Sequence, residues 1–87
     1  MIKEKMMDKI TEWIPVEERV PEVDEDRYSD YVLISFANYS IPVVGHYEED
    51  ADGNGTFHDG DEDKPLSSYG LIVNAWMPLP KCMEVEL

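Results

Sequence analysis

The sequence YVLISFA, residues 31–37, has the density of β-branched and aromatic residues that is typical of a β-strand. Val32, Ile34 and Phe36 alternate with residues that point the other way, so these three apolar side chains share one face. The pattern therefore predicts a strand over residues 31–37 that buries one of its two faces.

Three further segments around this strand have strand character. Residues 41–48 predict the returning strand of a hairpin. Residues 50–55 contain the strongest turn signal of the chain, with an Asp-Gly and an Asn-Gly pair, and lead into a short strand over residues 56–58. Residues 71–77 predict a fourth strand, and the prolines that follow end it.

The first residues predict a short helix instead. Ile2, Met6 and Ile10 recur at a spacing of four, which places them on one helical face, and Pro15 ends the pattern. The expected fold class is α+β, with a short N-terminal helix packed on a small, mainly antiparallel sheet of three to four strands. The strands are expected to form a meander, because they follow one another with short links.

A chain of 87 residues has room for one domain. We divide it into a helix over 1–12, a core over 13–80 and a tail over 81–87. The two tryptophan-containing ends of the core are expected to meet in space. The predicted core residues are Ile10, Trp13, Val16, Val32, Ile34, Phe36, Val44, Tyr47, Phe57, Leu71, Val73 and Trp76.

The net charge of −13 is unevenly distributed. Residues 1–12 are neutral, so the excess lies in two acidic stretches, residues 17–30 and residues 48–63. Such a surface repels phosphate backbones and lipid headgroups, so we expect no direct binding to nucleic acid or membrane. It favours a basic protein partner or cations. Solvated, charged loops are the simpler interpretation of the same stretches.

The single cysteine, Cys82, cannot form a disulfide within the chain, and nothing in the sequence indicates an oxidising compartment. No segment approaches the roughly 20 apolar residues that a membrane-spanning helix needs. The expected location is the cytoplasm.

Two proline-containing motifs near the ends of the core carry a family resemblance. Trp-Ile-Pro-Val at residues 13–16 runs into Glu-Arg-Val-Pro at residues 18–21, and Ala-Trp-Met-Pro-Leu-Pro closes the core at residues 75–80. Together with the strands at 31–34 and 44–47, they resemble the domain of unknown function 551 family, small proteins common in bacteriophages, prophages and bacterial genomes. The resemblance implies a fold and a phage-associated source, and therefore the cytoplasm of a bacterial host cell. It implies no activity. Its signature residues here are Trp13, Pro15, Arg19, Pro21, Tyr47, Phe57, Trp76, Pro78 and Pro80.

Residues 50–61 match a calcium loop of the EF-hand kind at several positions. Asp50, Asp52 and Asn54 alternate as oxygen ligands, Gly55 allows the sharp turn, and Asp61 takes the last position. The flanking segments predict strands and not the helix pair that holds such a loop. A hairpin turn that uses Asp, Asn and Gly for their backbone preferences is therefore the favoured interpretation, and calcium is the alternative.

His46 and His58 raise the question of a transition-metal site, because the predicted hairpin could bring them together. Two histidines without a cysteine pair and without His-x-x-x-His spacing are a weak metal signal. The sequence favours two partly exposed strand residues.

Catalysis finds little support in the sequence. There is no phosphate-binding glycine-rich loop with its lysine, and Cys82 has no base positioned to activate it. We expect a protein without enzymatic activity and without a cofactor. The function hypotheses are a protein-interaction module, an acidic decoy that imitates DNA and occupies a basic host protein, and a calcium-stabilised domain.

Overall fold

A computed structural model describes residues 12–80 as one five-stranded antiparallel sheet. Its strands are β1 (Ile14–Pro15), β2 (Val32–Phe36), β3 (Val43–Glu49), β4 (Gly55–Asp59) and β5 (Val73–Pro78). A short 3-10 helix at Leu66–Tyr69 lies between β4 and β5. No helix in this part of the chain is long and apolar enough to span a membrane.

The predicted fold class is wrong. Residues 12–80 contain no α-helix, so this part of the chain is all-β and not α+β. The predicted helix over residues 1–12 lies outside the described residues except for its last residue. In β2, buried and half-buried side chains alternate, and this period of two favours a strand over a helix. The helical segment of residues 12–80 is a single 3-10 turn.

Strand β2 is the central strand of the sheet and buries one of its faces, as its alternating pattern predicts. Val32, Ile34 and Phe36 are buried, and the residues between them are half-buried on the opposite face. One edge of β2 pairs with β3 and the other with β5, both antiparallel. The register with β5 shifts at Ser35 and Phe36, where the strand carries an irregularity.

The predicted meander describes only half of the sheet. Strands β2, β3 and β4 follow one another in space, but β5 returns to the free edge of β2, and β1 pairs outside β5, giving the order β1-β5-β2-β3-β4. In this arrangement Ile14 lies opposite Trp76, and Pro15 lies opposite Ala75. The prediction that the two tryptophan-containing ends meet is therefore confirmed.

The core differs from the predicted one at several positions. Trp13 is 37% exposed and Val44 is 46% exposed, so neither belongs to it. Leu66 is absent from the predicted core, yet it is 2% exposed and packs in the core cluster. Ile10 lies outside the described residues. The buried cluster consists of Val32, Ile34, Phe36, Leu66 and Trp76, and the half-buried side chains packed against it are Ile14, Val16, Val43, Phe57, Leu71 and Val73.

Candidate functional site

The β3–β4 hairpin places its two histidines opposite each other. His46 pairs with His58, and Glu48 pairs with Thr56 two residues further along β3. Directly paired residues share a face of an antiparallel sheet, and so do residues two apart on one strand. These four side chains therefore form one patch, and the two imidazole rings stack with centroids 5.0 Å apart and planes 15° apart.

Both histidines are buried, so the expectation of partly exposed strand residues is wrong. His46 is 8% exposed and His58 is 2% exposed. The Tyr28 ring packs against the His46 ring in a T-shaped arrangement, at a centroid distance of 5.6 Å. On the other side, Pro65 forms an isolated bridge with His58. Two loops thus cover a face of the hairpin that would otherwise meet solvent.

Backbone carbonyl groups fix the orientation of both rings. His46 Nδ1 lies 2.6 Å from the carbonyl oxygen of Gly60, and His58 Nδ1 lies 3.0 Å from that of Glu62. A carbonyl oxygen only accepts hydrogen bonds, so each Nδ1 must carry a proton and donate it. In a neutral ring the lone pair is then on Nε2.

The two Nε2 atoms converge on the carboxylate of Glu48. His46 Nε2 lies 2.9 Å from Glu48 Oε2, and His58 Nε2 lies 3.5 Å from Glu48 Oε1. Thr56 Oγ1 is 2.8 Å from His58 Nε2 and can donate a hydrogen bond to it. One ligand atom from each of His46, Glu48 and His58 lies within 4.8 Å of the others. The patch thus presents two nitrogen lone pairs and one carboxylate at a single point.

An acidic cleft opens beside this patch. It has a volume of about 530 Å³, and His46 and Glu48 form part of its wall. One side is the segment of residues 24–31, and the other is the loop of residues 61–63. The carboxylates that line it, apart from Glu48, are Asp24, Asp30, Asp61, Glu62 and Asp63.

Hydrogen bonds hold the two sides of the cleft in place. The carboxylate of Asp24 accepts from the backbone N–H groups of Asp26 and Tyr28, which closes the turn that carries the aromatic ring over His46. The Tyr31 hydroxyl donates to the carboxylate of Asp61 across the cleft. That hydrogen bond, with some burial and the charge of Asp61, raises the pKa of Tyr31 above its usual value. The cleft is therefore bridged by a tyrosine that keeps its proton.

Three of the four predicted calcium ligands lie in the turn between β3 and β4, and the fourth lies beyond the other end of β4. Asp50 accepts hydrogen bonds from the backbone N–H groups of Asp52 and Asn54, so its side chain closes the turn after β3. The next five residues are the extended strand β4, and Asp61 follows beyond its other end. A strand of this length separates its ends by more than about 13 Å. The segment does not wrap around one point as an EF-hand loop does, and calcium binding stays a prediction.

The signature residues of the resemblance lie on the sheet or in the segments beside it. The Trp76 indole N–H donates to the carbonyl oxygen of Arg19, while Trp13 is exposed. Pro21 is buried, and Pro78 pairs with the start of β2. The remaining members are Pro15 opposite β5, Tyr47 packed on Phe57 with ring centroids 4.9 Å apart, and the exposed Pro80.

Comparison with known proteins gives one result. A family model described as "Protein of unknown function (DUF551)" matches residues 12–83. No curated protein and no solved structure gives a significant match. The match covers the whole sheet and both walls of the cleft.

Proposed function

Since the chain belongs to the DUF551 family of proteins of unknown function, we propose that it is a non-catalytic accessory domain of the phage type that binds a basic segment of another protein in its acidic cleft. The bacterial cytoplasm is the proposed compartment, because the single cysteine leaves no disulfide to form within the chain.

The convergence of two acidic stretches on one cleft carries this proposal. Asp24 and Asp30 belong to the stretch of residues 17–30, whereas Asp61 and Asp63 belong to the stretch of residues 48–63. Charge runs that only confer solubility do not need to face each other, and like charges that do so repel. A cationic partner in the cleft would relieve that repulsion and gain a strong electrostatic attraction.

Arginine and lysine side chains suit this cleft in a second respect. Tyr28 and Tyr31 line it and are about half exposed, so their rings are available to a cation. None of the residues that line it is Lys or Arg, and the guanidinium of the neighbouring Arg27 donates to the carbonyl oxygen of Asp50 instead. No internal basic side chain of the described residues therefore competes for the cleft.

The concave shape favours a projecting basic segment over a DNA-binding protein. A decoy of DNA needs a continuous row of carboxylates on an outward surface that enters the groove of its target. Here the carboxylates of the two acidic stretches line a recess the size of a few side chains. A basic loop or tail fits that geometry.

The proposed absence of catalysis in the cleft rests on the state of Ser29, the serine among the residues that line it. Ser29 lines the cleft, but its hydroxyl donates to the carbonyl oxygen of Asp30 at 2.6 Å and accepts from the backbone N–H of Tyr47 at 2.9 Å. A serine nucleophile needs a base that takes its proton. Ser29 thus holds the segment against β3 and is not poised for attack.

A charge-matched pair of variants tests the proposal. The probe is a short fluorescent peptide of alternating lysine and arginine, titrated by anisotropy at low and moderate salt. In the cleft variant, Asp30, Asp61 and Asp63 become asparagine. In the control, Glu17, Glu18 and Asp52, which are exposed outside the cleft, become glutamine or asparagine with the same change in net charge.

We expect the cleft variant to bind at least about tenfold more weakly than the control, a difference of about 1.4 kcal/mol. Equal losses in the two variants would mean that the peptide responds to net charge alone. That outcome would overturn the proposed cleft as the binding site.

A further inference from the structure

We propose that His46, Glu48 and His58 bind one divalent transition-metal ion, through Nε2 of each histidine and the carboxylate of Glu48. This site goes beyond the binding of a basic segment and does not depend on it. Zn²⁺, Fe²⁺ and Co²⁺ are the ions that the donor set suits.

The first support is the spacing of the donors. With metal–ligand bonds of about 2.0–2.1 Å, neighbouring donors of a tetrahedral site lie about 3.3 Å apart. The two Nε2–carboxylate distances, 2.9 Å and 3.5 Å, are close to that spacing on either side. The two nitrogen–carboxylate separations thus already suit one bound ion.

The second support is the way in which the rings are held. Metal-binding histidines almost always donate their other ring N–H to a carbonyl or a carboxylate, which fixes the tautomer and aims the lone pair. Gly60 and Glu62 supply one backbone carbonyl to each ring here. Both carbonyls belong to the loop after β4, so the loop that forms the cleft wall also orients both proposed ligands.

The third support is an unfavourable contact that a cation would remove. With its proton on Nδ1, a neutral His46 presents the Nε2 lone pair to Glu48 Oε2 at 2.9 Å, and both atoms are acceptors. Such a pair needs a positive centre between its members. A second proton on His46 is the competing solution, and the experiment below separates it from a metal ion.

The chemistry of the donors selects the class of metal. Two imidazoles with one carboxylate are typical of zinc sites and of non-haem iron sites, whereas Ca²⁺ and Mg²⁺ take mainly oxygen ligands. His46 and Glu48 line the acidic cleft, so an ion bound by them would be reached from the cleft. The surrounding carboxylates raise the local concentration of cations and favour loading.

The test is a titration of tag-free, chelator-treated protein with Co²⁺ and Zn²⁺, in a Cys82→Ser background that removes the thiol as a ligand. We expect visible d–d absorption that saturates at one Co²⁺ per chain, displaced by Zn²⁺ and unaffected by an equal concentration of Ca²⁺. Absence of these bands, or their loss to Ca²⁺, would overturn the proposal.

Matched variants locate the ion. Glu48→Gln and His46→Gln should each weaken Zn²⁺ binding by about 100-fold or more, because each removes one of three ligands. Glu17→Gln and Asp52→Asn remove the same charge as Glu48→Gln at exposed positions outside the cleft and should change the affinity by less than about threefold, since neither residue is a ligand. Similar losses in all of these variants would overturn the assignment.

Thr56→Val separates metal binding from a merely structural role of the patch. It removes the hydroxyl that occupies His58 Nε2, so Zn²⁺ binding should be unchanged or tighter while the ligand variants lose it. Long-range ¹H–¹⁵N spectra of the wild type provide a readout that needs no variant. Zn²⁺ should shift the Nε2 resonances of both histidines. If Nε2 of His46 instead carries a proton and Zn²⁺ leaves its resonance unmoved, the second proton on His46 is the correct solution and the metal site is overturned.

Discussion

Trp76 donates its indole N–H to the backbone carbonyl oxygen of Arg19 at 3.0 Å, and the guanidinium carbon of Arg19 lies 5.6 Å from the centre of the same indole ring. One residue therefore contacts both the edge and the face of the buried tryptophan. The contact joins the segment after β1 to β5, so it closes the end of the sheet at which the two proline-containing motifs meet. The two tryptophans of these motifs are thus not equivalent.

Trp76→Phe should lower the free energy of unfolding by about 2 kcal/mol, because it removes buried surface and leaves the Arg19 carbonyl without its donor. Trp13→Phe is the matched control and should cost less than about 1 kcal/mol, since Trp13 is exposed. Urea unfolding followed by far-UV circular dichroism measures both. Equal costs would contradict the assignment of Trp76 as the anchor.

Leu66→Ala should lower the free energy of unfolding by about 3 kcal/mol. Leu66 is the buried residue of the 3-10 helix, and truncation leaves a cavity within the core cluster. Leu79→Ala makes the same chemical change at an exposed position and should cost less than about 1 kcal/mol. Denaturant unfolding of the two variants measures both losses of unfolding free energy. A Leu66 variant as stable as the Leu79 variant would show that the helix does not anchor the loop.

Gly45→Ala should distort the β3–β4 hairpin. A Cβ at residue 45 would overlap the backbone carbonyl oxygen of His58 and come within 2.9 Å of Ile34 Cδ1, and a strand backbone cannot move away as a flexible side chain can. We expect a loss of more than about 2 kcal/mol in unfolding free energy. Amide shifts in ¹H–¹⁵N spectra should change mainly around residues 45 and 58. Wild-type stability with an unchanged hairpin would contradict this close approach.

The stability of the domain should fall in alkali through Tyr47. Burial raises the pKa of this phenol, and the charge of Glu49 adds to the rise. The unfolded chain then releases the proton near the usual pKa of about 10, while the folded chain still holds it. Stability is therefore fully present below about pH 10 and is lost as the pH rises toward the raised pKa.

Tyr47→Phe should reduce this alkaline loss, because it removes the group that titrates. The measurement is the difference in unfolding free energy between about pH 8 and about pH 11, in the wild type and in the variant. Tyr31 and Tyr69 have pKa values raised by hydrogen bonds to Asp61 and Glu62, so part of the loss should persist. A variant that loses as much stability as the wild type would contradict the role of Tyr47.

Local patterns predicted the strands well. The segments at residues 31–37, 41–48, 56–58 and 71–77 became β2 to β5 with ends shifted by a few residues. Alternation of apolar side chains is a property of each strand by itself, so it can be read without knowing the partner. Strand order is different, because the place of β5 beside β2 depends on burying Trp76 against Ile34, far away in the sequence.

Part of the histidine patch could be predicted from the sequence. His46 and Glu48 are two residues apart on a predicted strand, and the turn at residues 50–55 sets the register that brings His58 opposite His46. Their burial could not be predicted in the same way. It depends on the loops of residues 24–31 and 60–65, whose charged composition is typical of solvated chain.

Leu66 illustrates the other limit. It is a single apolar residue among polar neighbours, so no periodicity marks it as buried. Its burial follows from the bridge between Pro65 and His58, which holds the chain beside β4 and turns the next side chain into the core. Only the folded hairpin creates the surface that this leucine covers.

The two edge strands of the sheet have a consequence for how the protein behaves at high concentration. β1 offers two residues, of which Pro15 has no N–H to donate, and the outer side of β4 is partly taken by the bridge to Pro65. An incoming chain would find few free donors and acceptors at either border. Together with the strong negative charge, these blunted borders should keep concentrated solutions free of the fibrils that open sheets can seed.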